Sequence, residues 1–182
     1  GGAAVVFASG FLTPADDQGG PAFGLFAALP GGTVVEFPLL TTSRLQVIHN
    51  AADPAASEVD VYVGDDLLLD DFAFRAATPY IDVPAGVELV IGVAPGTSAG
   101  AGDVIATFPV TLLAGETYAV IANGVLDPSG FEANPDGRSI GFTLFTRAGA
   151  REAAMEMDMV DFFALHGSTD APTVDVIARG VA

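Results

Sequence analysis

The sequence predicts an all-β chain: an antiparallel, immunoglobulin-like β-sandwich in which one complete module is flanked by partial modules. Three observations carry that expectation. Short apolar runs alternate with polar residues at the period of a strand, as in Val59-Asp60-Val61-Tyr62-Val63. Gly, Pro, Asp and Asn punctuate those runs about every 8 to 12 residues, the spacing of sandwich strands. The chain also repeats itself, with Val59–Tyr62 returning at Val174–Ile177, His49…Asp53 at His166…Asp170, and Val6–Leu12 at Val120–Leu126.

Taken in order, Ala3 to Leu12 is an apolar run too short and too Gly-interrupted to cross a membrane. Leu45 and Val47 alternate with Arg44 and Gln46. Val59, Val61 and Val63 share one face and Asp60 and Tyr62 the other, the pattern of a half-buried strand that Gly64-Asp65-Asp66 turns back toward Leu67–Leu69. Further strands are expected at Phe72–Phe74, Tyr80–Val83, Val87–Val93, Val104–Leu113, Thr117–Val125 and Ile140–Arg147, joined by Pro84-Ala85-Gly86, Pro95-Gly96, Ala114-Gly115-Glu116 and Asp127–Gly130. Ala148 to Met159 is rich in helix formers and reads as a short helix or an extended connector.

The repeat offsets are 115, 117 and 114 residues, which sets the module length and its boundaries. Residues 1–43 hold the terminal strands of a partial module and a connector, 44–159 a complete sandwich, and 160–182 the opening hairpin of a further partial module. Gly1 reads as a processed or trimmed start.

Arg44-Leu45-Gln46-Val47-Ile48-His49-Asn50-Ala51-Ala52-Asp53-Pro54 followed by Val59–Val63 resembles the opening of a known family, and Leu165–Val176 resembles it more closely. Tyr80–Gly86 and Val110–Val120 match later elements in order. The family is domain of unknown function 4397, and the resemblance implies a secreted, often tandem β-sandwich of bacteria and archaea with no established catalytic residues to transfer. The stretch between Asp53 and Val59 is two residues longer than its counterpart between Asp170 and Val174.

Composition narrows the function. Acidic residues outnumber basic ones 23 to 6, there is no lysine, and the net charge is −17, so nucleic acid and anionic lipid are excluded as partners. Such a composition fits either the codon bias of a GC-rich genome or adaptation to salt. Absence of cysteine removes disulfides, thiol catalysis and thiolate metal sites. Charged residues make up only 16% against about a quarter in ordinary domains, so the surplus of apolar residues points to subunit contact.

Two constellations could carry chemistry. His49 with Asp53, and His166 with Asp170, could bind a metal or act as a base. The preferred reading is structural, with Asp capping a turn and His at a strand end, because no third ligand or nucleophile recurs with the pair. Carboxylates crowd one hairpin (Asp65, Asp66, Asp70, Asp71) and one loop, where Asp127, Glu132 and Asp136 are calcium candidates. Their spacing matches no EF-hand, and solvated turns are preferred. No Ser or Thr is paired with a base, so neither an enzyme nor a cofactor is expected.

The expected function is a non-enzymatic secreted subunit of an extracellular filament, joined to further copies of itself head-to-tail by β-strand complementation, without membrane insertion. The assembly residues are Val5, Val6, Phe7 and Phe11 in the first partial module, and Phe162, Phe163, Leu165, Val174 and Val176 in the last. The alternatives are a fragment of a tandem-module cell-surface stalk or adhesin, or a calcium- or ligand-binding surface module.

Overall fold

A computed structural model describes residues 2–37 and 41–177. The chain divides into two compact units, Gly1–Leu40 and Thr41–Ala182.

The larger unit is a β-sandwich. Its first sheet holds β4 (Thr42–His49), β7 (Ile81–Pro84), β10 (Thr117–Asn123) and β11 (Thr143–Ala148) in the order β11-β10-β4-β7. Its second holds β5 (Glu58–Val63), β6 (Asp66–Ala73), β8 (Glu88–Pro95) and β9 (Ala106–Thr111) in the order β6-β5-β8-β9. Inward side chains of the two sheets share one core. Leu45, Val47, Val83, Leu112 and Val120 form its first half, and Val59, Val61, Ile91 and Val93 its second, with Leu69, Phe72 and Leu144 packed against both. Between the sheets, these residues line an apolar void of about 30 Å³.

Strand β4 shows the expected alternation, with Ser43, Leu45, Val47 and His49 buried. Its partner is unusual. It pairs in parallel with β10, Arg44 opposite Thr117 through His49 opposite Ala122, while every other strand pairing among the described residues is antiparallel. Parallel strands need a long crossover, and here the whole of β5 to β9 supplies it.

Strand β5 departs from the half-buried expectation. Asp60 and Tyr62 are buried along with Val59 and Val61. The reason is the segment after β8, which folds over the outer face of the second sheet: Ser98 reaches Asp60 and Tyr62, and Val104 packs so closely over Gly92 that a Cβ there would lie 2.8 Å from its methyl. The two strands expected at Leu67–Leu69 and Phe72–Phe74 are one strand, β6, with a register shift against β5. Of the two readings offered for Ala148–Met159, the structure has the connector. Gly149 and Asp158 have φ of +69° and +66°, and Met155, Met157 and Met159 are exposed, so a helix there would have no apolar stripe to bury. Among the described residues, no helix is long and apolar enough to cross a membrane.

The smaller unit is an antiparallel sheet of β1 (Val5–Ser9), β2 (Gly24–Ala28) and β3 (Val34–Glu36) in that order. It reproduces the β10–β11 ribbon in detail. In the module Gly124 has φ +97°, Val125 donates its N–H to Ile140 at 2.9 Å, and Phe142 donates back to Val125 at 2.9 Å. In the small sheet Gly10 has φ +93°, Phe11 donates to Pro21 at 2.9 Å, and Phe23 donates back to Phe11 at 2.9 Å. A Cβ on either glycine would run into the carbonyl of the facing segment, Ala22 or Gly141. The sequence repeat is thus a repeat of backbone geometry, with β1 equivalent to β10 and β2 to β11.

Gly124 combines a left-handed conformation with a backbone contact that cannot give way. Replacing Gly124 by Ala is expected to destabilise the sandwich by about 2 kcal/mol or more, read as a lower urea midpoint at unchanged slope. An unchanged midpoint would mean the turn relaxes freely.

Candidate functional site

His49 ends β4 with no exposed surface, its ring between Phe72 and Phe74 at 5.9 and 6.0 Å. Nε2 meets the Ala56 carbonyl at 2.7 Å and must donate; Nδ1 accepts from the Ala51 N–H at 3.3 Å. Both nitrogens are therefore engaged in the neutral ring, and neither is free for a metal or a substrate proton. Burial pushes this imidazole below its ordinary pKa, opposed by the hydrogen bond to Ala56.

Asp53 is also buried. Its Oδ1 caps the short 3-10 turn at Pro54–Ala56 by accepting from Ala55 at 2.8 Å, and its Oδ2 accepts from Leu126 at 2.8 Å. The pair found by sequence is thus a turn that pins the end of β4 to the end of β10. The later copy keeps half of it: His166 Nε2 donates to Pro172 at 3.0 Å, while Asp170 is exposed.

A second buried acid escaped sequence reasoning because it alternates like a surface residue. Asp60 accepts from the Asp71 N–H at 2.9 Å and from the Ser98 hydroxyl, which in turn accepts from Tyr62 at 2.8 Å. Asp71 has φ +49° at the register shift in β6, so Asp60 holds that bulge in place. One oxygen from each of Asp60, Asp70 and Asp71 lies within 4.8 Å of the others, but both oxygens of Asp60 already accept hydrogen bonds. Asp65 and Asp66 do not join them.

The calcium candidates do not converge. Asp127 caps the 3-10 turn Pro128–Gly130 through Ser129, whose hydroxyl and N–H hold its carboxyl below the usual range. Glu132 is exposed. Asp136 faces the other way, accepting from the Thr173 hydroxyl at 2.7 Å and N–H at 2.6 Å, which lowers its pKa likewise.

That contact belongs to a docking arrangement. Asn134 donates to the carbonyls of both Thr169 and Ala171 at 2.9 Å, and Arg138 reaches the Thr173 hydroxyl at 3.2 Å. Gly167 sits against Asn50 and Asn123, whose side chains bond each other at 2.7 Å across β4 and β10. Arg147 lies 6.0 Å from the Phe163 ring. Residues 163–173 therefore lie along their own module, and residues 160–177 hold no strand, so no opening hairpin is formed within the described residues. The sequence signal for this docking was Gly167, which stands where the earlier copy has Asn50.

The proposed assembly residues are all exposed. Val5 and Val6 are 68% and 60% accessible, Phe162 74% and Val176 69%, and Phe7, Phe11, Phe163, Leu165 and Val174 also reach solvent. In the small sheet only Gly24 and Ala27 are buried among the strand residues, so that sheet has no core of its own.

A family model described as a domain of unknown function, DUF4397, matches residues 43–141. This chain belongs to the DUF4397 family. The DUF4397 match begins inside β4 and stops at Gly141, the residue bridged to Val125, so it spans the sandwich up to β11 and leaves β1–β3 and residues 160–177 outside. No curated protein matches the chain.

The lowered pKa of His49 fixes a pH dependence. The unfolded chain, with an ordinary histidine near pH 6.5, takes up a proton before the folded chain does, so stability falls as pH drops below about 6.5 and is unaffected above it. Between pH 8 and 5, where the depressed carboxylates stay ionised, the urea midpoint is expected to fall. His49→Gln should flatten that slope while lowering the midpoint throughout.

Proposed function

We propose that this DUF4397 chain is a non-catalytic, secreted structural subunit that associates head-to-tail with further copies by β-strand complementation, building an extracellular filament. The observation that carries the reading is the exposure of core-type residues. Val6 repeats Val120, which is 2% exposed, and Val174 repeats Val59, which is 5% exposed, yet Val6 is 60% and Val174 49% exposed. Strands with apolar faces and unpaired edges recruit other strands. Because the two segments differ, their contact is heterologous and propagates unless the rotation closes a ring.

A tandem-module stalk or adhesin is the second reading, favoured by the double hydrogen bond of Asn134 to Thr169 and Ala171. A module loop that grips the opening turn of the next copy would set the angle between successive modules.

Electron microscopy of native material, with the intact mass of the dissociated chain, separates these. Regular filaments of an 18.4 kDa chain are the expected result, lost when residues 160–182 are deleted. A much larger mass would favour the stalk. Single small particles of 18.4 kDa, or filaments that survive the deletion, would overturn the assembly reading.

A further inference from the structure

Inside the module, β10 has two partners, β11 on one side and β4 in parallel on the other. Its equivalent β1 has β2 on the matching side and, among the described residues, nothing on the other. The chain contains a second β4-type sequence, since residues 161–167 repeat Arg44–Asn50 around His166. From Val160 to Ser168 the backbone holds no backbone hydrogen bond among the described residues.

Side-chain placement sharpens the match. In β4, Leu45, Val47 and His49 point into the core, and their equivalents are Phe162, Ala164 and His166. All three are exposed, Phe162 at 74%. The half-exposed Phe163 lies beside Arg147 of its own module, and Gly167 sits between Asn50 and Asn123. The segment thus touches its own subunit through Gly167 and one side of Phe163, and leaves Phe162, Ala164 and His166 exposed. It is anchored by Asp161 to Arg151 and the Met155 N–H, and beyond residue 168 by Asn134, Asp136 and Arg138.

We propose that residues 161–167 of one copy add in parallel to the free edge of β1 of a second copy, in the register of β4 on β10. Leu45 opposite Tyr118 becomes Phe162 opposite Ala4, Gln46 opposite Ala119 becomes Phe163 opposite Val5, Val47 opposite Val120 becomes Ala164 opposite Val6, and His49 opposite Ala122 becomes His166 opposite Ala8. The Asn50 N–H donates to Ala122 at 2.8 Å, so the Gly167 N–H takes the Ala8 carbonyl. The occupant is a second copy because this chain carries both halves of the match, a β4-type segment held by Asn134, Asp136 and Arg151 and a β10-type strand edge on the other unit. This inference rests on the assembly reading and adds polarity and register to it.

The chain has no cysteine, so engineered pairs report the contact directly. Chains carrying Val5→Cys and chains carrying Phe163→Cys are mixed and oxidised, with Val5→Cys mixed with Ala164→Cys as the comparison. A slip of one residue turns a side chain to the opposite face. The matched mixture is expected to give the mixed disulfide dimer at least about tenfold faster, because only there do the Cβ atoms come within disulfide reach. Retention of the pH 7 urea midpoint in each variant shows that the sandwich is intact. Equal rates in both mixtures would overturn the register. A double variant Val5→Cys/Phe163→Cys that closes only within single chains would overturn the second-copy assignment. If electron microscopy shows filaments while the matched pair fails, the pairing is wrong and the assembly reading stands; if neither forms, both fall.

Discussion

The parallel pairing of β4 with β10 is the constraint on which the rest of the module depends. It joins residues about seventy positions apart, and polar side chains at its ends tie β4 to the segments flanking β10. Asp53 binds the Leu126 N–H, Asn50 bonds Asn123, and the Ser43 hydroxyl reaches the Leu113 carbonyl at 2.7 Å. At the opposite end Arg44 forks onto Glu152 with two bonds of 2.8 Å, tying the connector after β11 to the start of β4. That pair is solvent-exposed and stabilises little by itself, so its role is to fix where the chain goes after the last strand. A pairing this distant in sequence forms late unless both strands are preformed, because loop closure must precede its reward.

Neutral His49 follows from the same constraint. The end of β4 sits where two sheets and a tight turn meet, a place with room for a planar ring and two backbone groups in need of partners. Imidazole supplies a donor at Nε2 and an acceptor at Nδ1. A second proton would set Nδ1–H against the Ala51 N–H in an apolar cage. The sequence pair that resembles a catalytic or metal constellation is therefore a hydrogen-bonded corner, and its recurrence at His166 keeps only the bond to the Pro172 carbonyl.

Much of the sandwich was legible because strand periodicity and turn residues are local signals. The bounds of β7, β8, β10 and β11 lie close to their expected positions, and the connector after Ala148 was one of two readings. What stayed hidden was non-local. Nothing in Arg44–His49 states that its neighbour runs parallel, and nothing in Val59–Val63 reveals that a later loop will bury Asp60. The repeat supplied the deepest information. Its offset at Gly10 and Gly124 encoded a turn that only glycine tolerates, so two distant heptapeptides share one backbone geometry. The carboxylates were the least legible, because an Asp in a turn, a cap or an ion site is the same letter.

The net charge of −17 bears on the assembly we propose, since copies of an acidic chain repel one another at long range. The strands assigned to the contact are free of that burden. From Val5 to Phe11 there is no charged residue, and between Asp161 and Asp170 the only titratable side chain is His166. Repulsion is screened over about 8 Å at physiological salt, whereas strand addition acts at hydrogen-bond distance. The acidic surface of the sandwich then sets how readily two copies approach, and the uncharged strands set what happens on contact. Such a division confines pairing to a short uncharged edge, while the net acidic body that carries it disfavours indiscriminate contact.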